Sequence, residues 1–159
     1  MSKKPGNQAA PAPKQIVNRK ARFDYELLQS WEAGLVLVGS EVKSVYLGRV
    51  NMVDAYCSIR DGEAWLHNLD IEPYTHASAY QPERRRDRKL LLHRREIALI
   101  DRRSKEKGLT IVPTKMYFSH GKVKVEISLA RGKRQYDKRQ QIAKDDARRE
   151  MERVRAHRD

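Results

Sequence analysis

The sequence predicts a mainly β protein: a small OB-like antiparallel β-barrel of about six strands, with flanking short helices and disordered basic N- and C-terminal tails. Three observations carry this. Lys122 to Leu129 alternates without a fault, with Val123, Val125, Ile127 and Leu129 on one face and polar residues on the other. Asp61-Gly62 separates two β-type runs, and a two-residue hairpin turn needs positive φ at both positions, which Asp-Gly supplies. The apolar residues concentrate between Phe23 and Leu129, so the ends of the chain have little to bury. Short strands joined by hairpins, with few helices, close most simply into a small barrel.

Met1 to Val17 is Lys, Pro, Ala and Gln, which predicts a disordered N-terminal arm over 1–17. The barrel is expected over 18–130. Phe23, Tyr25, Leu27 and Leu28 lead into Trp31-Glu32-Ala33-Gly34, a long bent strand in which Gly34 permits a bulge. The stretch Gly34 to Asp54 organises the rest. Leu35 to Val38 is an apolar β run, and Ser40 is placed to cap a short helix with Glu41 in its first turn. Val42, Val45 and Tyr46 give that helix one apolar face, Gly48 stops it, and Glu41 and Lys43 are left for solvent or a partner. Two strands follow, Ala55 to Arg60 and Glu63 to Leu69, around the Asp61-Gly62 turn.

Glu72 to Asp87 has no periodicity, contains Pro73 and Pro82 and ends in Arg84-Arg85-Arg86, which predicts a mobile loop facing RNA. Lys89 to Leu92 is a short buried segment. His93 and Glu96 have capping-box spacing, Ile97 and Ile100 mark the inner face of a helix, and Gly108 ends it. Pro113 interrupts the strand Leu109 to Ser119 and calls for a bulge or an edge, and His120-Gly121 turns the chain into the alternating strand. Residues 131–159 hold 11 Lys or Arg against 6 Asp or Glu, a net of +5. Ala143, Ala147, Met151 and Val154 fall on one narrow helical stripe, with Asp145 and Arg149 an i, i+4 pair. A stripe this small predicts a basic C-terminal tail that is disordered when free and helical against a partner.

The charge balance bounds the function. The 159 residues carry a net charge of +13, which favours nucleic acid as partner. A membrane surface fits less well, because no long basic amphipathic helix carries bulky apolar residues. Cys57 is the single cysteine, so there is no disulfide framework or cysteine zinc cluster. Without a signal core or a transmembrane-length run, a cytoplasmic location is expected. Gly34 and Gly39 have the spacing that opens a phosphate loop, but Ser40-Glu41 stands where Lys-Ser/Thr is required. The five histidines form no i, i+4 metal pair. Neither a catalytic residue, a metal site nor a cofactor is expected. What recurs is a cation beside an aromatic or a turn: Arg22-Phe23, Arg134 to Arg139 around Tyr136, and Lys122 with Lys124 on one strand face. Cations neutralise phosphates and rings stack on unpaired bases, so the group favours RNA.

At these residues the sequence resembles the SmpB (small protein B) family. The likeness runs from Asn18 to about Arg139 and is carried by ordered blocks. They include Asn18 to Ala21, Trp31 to Gly34, Gly39 to Ser44, Arg88 to His93, Lys107 to Thr110, Gly121 to Val125, Ala130 to Lys133 and Tyr136 to Arg139. The resemblance implies an OB-like barrel and a non-enzymatic role in bacterial ribosome rescue, or trans-translation. Such a protein binds the tRNA-like domain of transfer-messenger RNA (tmRNA, or SsrA RNA) and delivers it to a stalled ribosome. Elongation factor Tu takes part indirectly, through alanyl-tmRNA. Carried over by motif position, Asn18, Lys20, Glu32, Leu91 and Lys124 are the expected tmRNA-binding residues. Glu32 and Leu91 are expected to act by positioning, because a carboxylate repels phosphate. Gly132, Lys133, Arg134, Tyr136, Asp137, Lys138 and Arg139 match the start of the tail that enters the decoding centre and the empty mRNA channel. The Glu72 to Asp87 loop is divergent and receives no role. A ribosomal protein or a general OB-type RNA chaperone is the alternative.

Overall fold

The computed structural model describes residues 13–76 and 81–157. In chain order the elements are β1 (Ile16–Val17), α1 (Arg19–Asp24), β2 (Tyr25–Leu35), α2 (Gly39–Tyr46), β3 (Val50–Asn51), β4 (Tyr56–Arg60) and β5 (Glu63–His67). They continue as β6 (Asp70–Ile71), β7 (Arg88–Leu91), α3 (Arg94–Lys107), β8 (Thr110–Ser119), β9 (Lys122–Gly132) and α4 (Gln135–Ala156). The strand order β8-β4-β5-β7-β2-β9 is closed by a β8–β9 pairing, so six antiparallel strands make a ring. Inside it Leu66, Leu90, Met116, Val125, Ile127 and Leu129 are fully buried. Val45 of α2 and Ile97 and Ile100 of α3 enter the same core.

The turn and alternation signals hold. Asp61 and Gly62 have φ of 52° and 73°, and His120 and Gly121 have 51° and 74°, the positive values that two-residue hairpins require. Gly108 ends α3 in the left-handed region, and Glu96 accepts from the His93 N–H at 3.2 Å. The ladder slips between Pro113 and Lys115, the bulge that Pro113 called for.

Other expectations are corrected. Most of the arm over 1–17 lies outside the described residues, but Ile16 and Val17 pair with Met116 and Lys115. The segment before β2 is helical: Asn18 caps α1 by accepting from the Ala21 N–H. The β2 bulge lies between Leu27 and Gln29, not at Gly34. Gly34 is needed for space, because a Cβ there would stand 3.2 Å from the Leu91 Cβ. Helix α2 is capped at Val38, whose N–H donates to Glu41 Oε1 at 3.1 Å. The Ser40 hydroxyl is buried without a hydrogen-bond partner among the described residues. Glu41 is not left for solvent. It is 3% exposed and ion-paired to Arg88, which is fully buried, and to Arg86.

That network also corrects the RNA-facing reading of Arg84 to Arg86. Arg84 Nε donates to Asp70 Oδ1 at 3.0 Å, Arg85 lies 3.9 Å from Asp54, and Arg86 donates to Glu41. All three cations have carboxylate partners, so they strap the end of the loop to the body. His67 adds a pin: Nδ1 meets Asp87 Oδ1 at 2.7 Å and Nε2 meets Ser58 Oγ at 2.6 Å.

Candidate nucleic-acid interface

The register of four strands lays out a row on the outside of the ring. Leu91 of β7 pairs with Gly34 of β2, Gly34 with Lys124 of β9, and Lys124 with Tyr117 of β8. Paired residues in an antiparallel ladder share a face. The alternate neighbours Ala33, Leu35, Val123, Val125 and Met116 are buried, so the row points outward. Leu91 is 55% exposed, while Lys124 and Tyr117 are half-buried.

Two residues along β2, Glu32 joins the same face opposite Glu126. Like charges directly opposite are unfavourable unless each is compensated. Lys115 Nζ lies 3.1 Å from Glu126 Oε2, and the buried Thr114 hydroxyl donates to Glu126 Oε1 at 3.0 Å. Glu32 instead accepts from the Tyr117 hydroxyl. Burial, and then the hydrogen bond to Glu32, push the Tyr117 phenol up to about 12, so it remains a donor at neutral pH. Neither Lys122 nor Lys124 makes an ion pair among the described residues. Their charge is left for a partner. Three of the five expected RNA-binding residues, Glu32, Leu91 and Lys124, thus come together on one face.

Asn18 and Lys20 lie elsewhere, on and before α1. Asn18 is 4% exposed. Its Nδ2 donates to the carbonyls of Met52, at 3.2 Å, and Pro113, at 2.9 Å. With donors and acceptor used internally, Asn18 acts by fixing α1 against β8. Lys20, on that helix, is exposed.

The tail residues divide into two sets. Gly132 ends β9 opposite Tyr25. The Lys133 N–H donates to the Asp24 carbonyl at 2.9 Å, and Lys138 Nζ lies 3.2 Å from Asp24 Oδ1 and 6.0 Å from the Phe23 ring centre. These bonds tie the root of α4 to α1. Arg134 is the cap position, and Asp137 stands in the first turn, where its charge suits the helix dipole. Tyr136 is 69% exposed, and Arg134, Asp137 and Arg139 are exposed with it. Beyond this root α4 buries no residue. Asp145 accepts from Gln141, in place of the expected Arg149.

Sequence reasoning missed Tyr117 and Thr114. The signal for Tyr117 was the β alternation that sends Met116 inward and its neighbour outward. Among the described residues no cluster of His, Cys, Asp and Glu could hold a metal ion, and no helix is long and apolar enough to cross a membrane. Cys57 is buried, and burial pushes its thiol far above the ordinary range.

Known proteins share this architecture. An SsrA-binding protein of Thermobifida fusca is 51% identical over 155 residues, covering 97% of each chain. One from Carboxydothermus hydrogenoformans is 50% identical over 137 residues, 86% of this chain and 92% of the relative. A chain in the solved structure described as "tmRNA-SmpB: a journey to the center of the bacterial ribosome" superposes with a TM-score of 0.66. It is 44% identical, and the match covers 82% of this chain and 95% of that one. The family model for the SmpB protein matches residues 15–157, and the chain belongs to the SmpB family.

Proposed function

We propose that the chain is the tmRNA-binding protein of trans-translation. Its body holds the tRNA-like domain of tmRNA and brings it, with elongation factor Tu bound through alanyl-tmRNA, to stalled ribosomes in the cytoplasm. The observation that carries this is the outward row: Leu91 and Lys124 flank Gly34 across three strands, with Glu32 on the same face. Lys124 supplies charge for a phosphate, and Lys20 supplies another from α1. Asn18 sets the position of that helix. A general RNA chaperone has no use for a separate long tail and is the weaker reading.

The tail is the second working part. Gly132, Lys133, Arg134, Tyr136, Asp137, Lys138 and Arg139 lead α4 into the decoding centre and the mRNA channel. A helix of 22 residues spans roughly 33 Å, enough to thread a channel emptied by a truncated message. An intact message would exclude it by sterics. The expected disorder of the free tail is not what the structure shows: residues Gln135–Ala156 are helical without a partner, but α4 buries no residue, so contacts in the channel would add the support that the helix lacks alone.

This is a binding role, not an enzymatic one. Ser58, His67 and Asp87 stand in the order of a nucleophile, base and orienting acid. The Asp87 side chain is 56% exposed, however, so water screens the charge that a hydrolase keeps buried. The line serves to pin the loop.

Ala147→Pro tests the tail. A mid-helix proline costs about 3 kcal/mol of helix stability and touches nothing in the body. It should leave tmRNA affinity unchanged and abolish peptide tagging on stalled ribosomes. Tagging at the normal rate would refute the helical tail.

A further inference from the structure

Helix α4 turns a polar side toward the body. Its half-buried residues are Lys138, Gln141 and Asp145, spaced i, i+3 and i+7 on one side of the helix. At about 100° per residue the apolar stripe falls on the opposite side. There Ala143 and Ala147 are exposed, Met151 is 64% exposed and Val154 48%. Hydrophobic burial would turn a helix the other way round. Something other than packing therefore sets its orientation.

The ties at the root supply it. The Lys133 N–H donates to the Asp24 carbonyl at 2.9 Å, and Lys133 Nζ donates to the Arg22 carbonyl at 3.1 Å, satisfying the C-terminal end of α1. One turn into α4, Lys138 Nζ lies 3.2 Å from Asp24 Oδ1, with both side chains more than two-thirds buried, and 6.0 Å from the Phe23 ring centre. Helix α1 is itself fixed to the ring by Asn18, through the carbonyls of Met52 and Pro113. A single ion pair matters little where packing already holds a helix. Here α4 buries no residue, so nothing competes with the tie. The lever is long: with about 33 Å of helix, a swing of about 20° at the root moves the tip by roughly 11 Å.

We infer that Asp24 is a positioning residue for the tail. Through Lys138 it fixes the direction in which α4 leaves the body and the side of the helix that turns outward. The apolar stripe is thereby held away from the body and presented to the surface that the tail enters. Lys138 spends its charge inside the protein, whereas Arg134 and Arg139 make no ion pair among the described residues and keep theirs for RNA. This deepens the reading of the tail given above and rests on it.

The test uses the full chain with Asp24→Asn, which keeps the side-chain volume and removes the charge. Spin labels at Arg60→Cys on the body and Lys144→Cys on α4, both exposed positions, report the distance between the two parts. The distribution should be narrow in the otherwise wild-type chain and broad in Asp24→Asn. Affinity for tmRNA should not change. If the untied helix points correctly about a tenth of the time, the concentration of stalled ribosomes that gives half-maximal tagging rises about tenfold. The maximal rate should stay near normal. Lys138→Asp should behave as Asp24→Asn does, and the exchanged pair Asp24→Lys with Lys138→Asp should restore both the narrow distribution and the half-maximal concentration. An unchanged distribution or unchanged tagging in Asp24→Asn would overturn the positioning role. So would an exchanged pair that fails to recover, which would assign Lys138 a direct contact with RNA. Failure of the wild type to support tagging at any ribosome concentration would overturn the reading of the tail itself.

Discussion

Arg88 buries its guanidinium completely against Glu41, 47 residues earlier in the chain, with Nε donating to Oε2 at 2.8 Å. The remaining Arg88 donors are satisfied by the carbonyls of Leu69, Arg86 and Arg84, so the group gains hydrogen bonds in return for its lost hydration. The pair joins α2 to β7 and, through Arg86, to the loop that precedes it. The pair thus anchors α2, whose Val42 packs against the core.

Removing one partner should therefore cost far more than removing both. Glu41→Ala strands a buried cation and should destabilise the body by about 3–5 kcal/mol. Glu41→Leu with Arg88→Met should recover most of that loss. Chemical denaturation of the two variants measures both values, and equal stability would contradict the buried pair.

The same pair gives a pH dependence. Burial raises the Glu41 pKa, but hydrogen bonds from Arg86, the Val38 N–H and Arg88 outweigh it and hold the carboxyl below its ordinary 4.5. A depressed folded-state pKa stabilises the fold above the unfolded value, and that contribution is lost as pH falls through the folded value. Acid unfolding should begin below pH 4.5. In Glu41→Gln, this part of the acid dependence should vanish.

Asn18→Ala removes the α1 cap and leaves the Met52 and Pro113 carbonyls without their amide donor. The expected cost is about 2 kcal/mol. Because Asn18 is buried, any loss of RNA affinity should track the loss of folded protein. It should disappear when binding is measured at low temperature, well below the variant's Tm. A loss that persists in fully folded protein would assign Asn18 a direct contact.

The turn, alternation and glycine-stop signals in the sequence proved readable, whereas the Ser40 cap, the Gly34 bulge and the long-range contacts did not. The alternation in β9, the two-residue turns and the Gly108 cap each depend on neighbours in sequence, so pattern alone reveals them. Helix α1 is six residues long, too short to show a period, and its capping residue is held by a carbonyl 95 residues away. Arg84 to Arg86 looked like RNA ligands because a run of charge carries no sign of the carboxylates folded against it. Glu41 looked exposed for the same reason. The resemblance placed Glu32, Leu91 and Lys124 without explaining them. Only the strand register shows that they share one face, and only the structure supplies Tyr117 beneath Glu32.

On that face, charge and positioning should separate. Lys124→Ala should weaken tmRNA binding and reduce the salt slope by about 0.7–0.9, the share of one phosphate. Tyr117→Phe removes only the hydroxyl that holds Glu32. It should weaken binding about three- to tenfold, with the salt slope unchanged and stability nearly so. Titrations over a range of salt concentrations distinguish the two outcomes. A slope change in Tyr117→Phe would contradict the positioning role.

The body recognises tmRNA and does not merely attract polyanions with its +13 charge. The direct measurement is the affinity of the full chain for tmRNA and for a folded ribosomal RNA fragment of equal length, at one fixed salt concentration, since charge-driven binding varies steeply with salt. The tmRNA should bind at least about a hundredfold more tightly, with the difference preserved as salt rises. Equal affinities, falling together with salt, would contradict it.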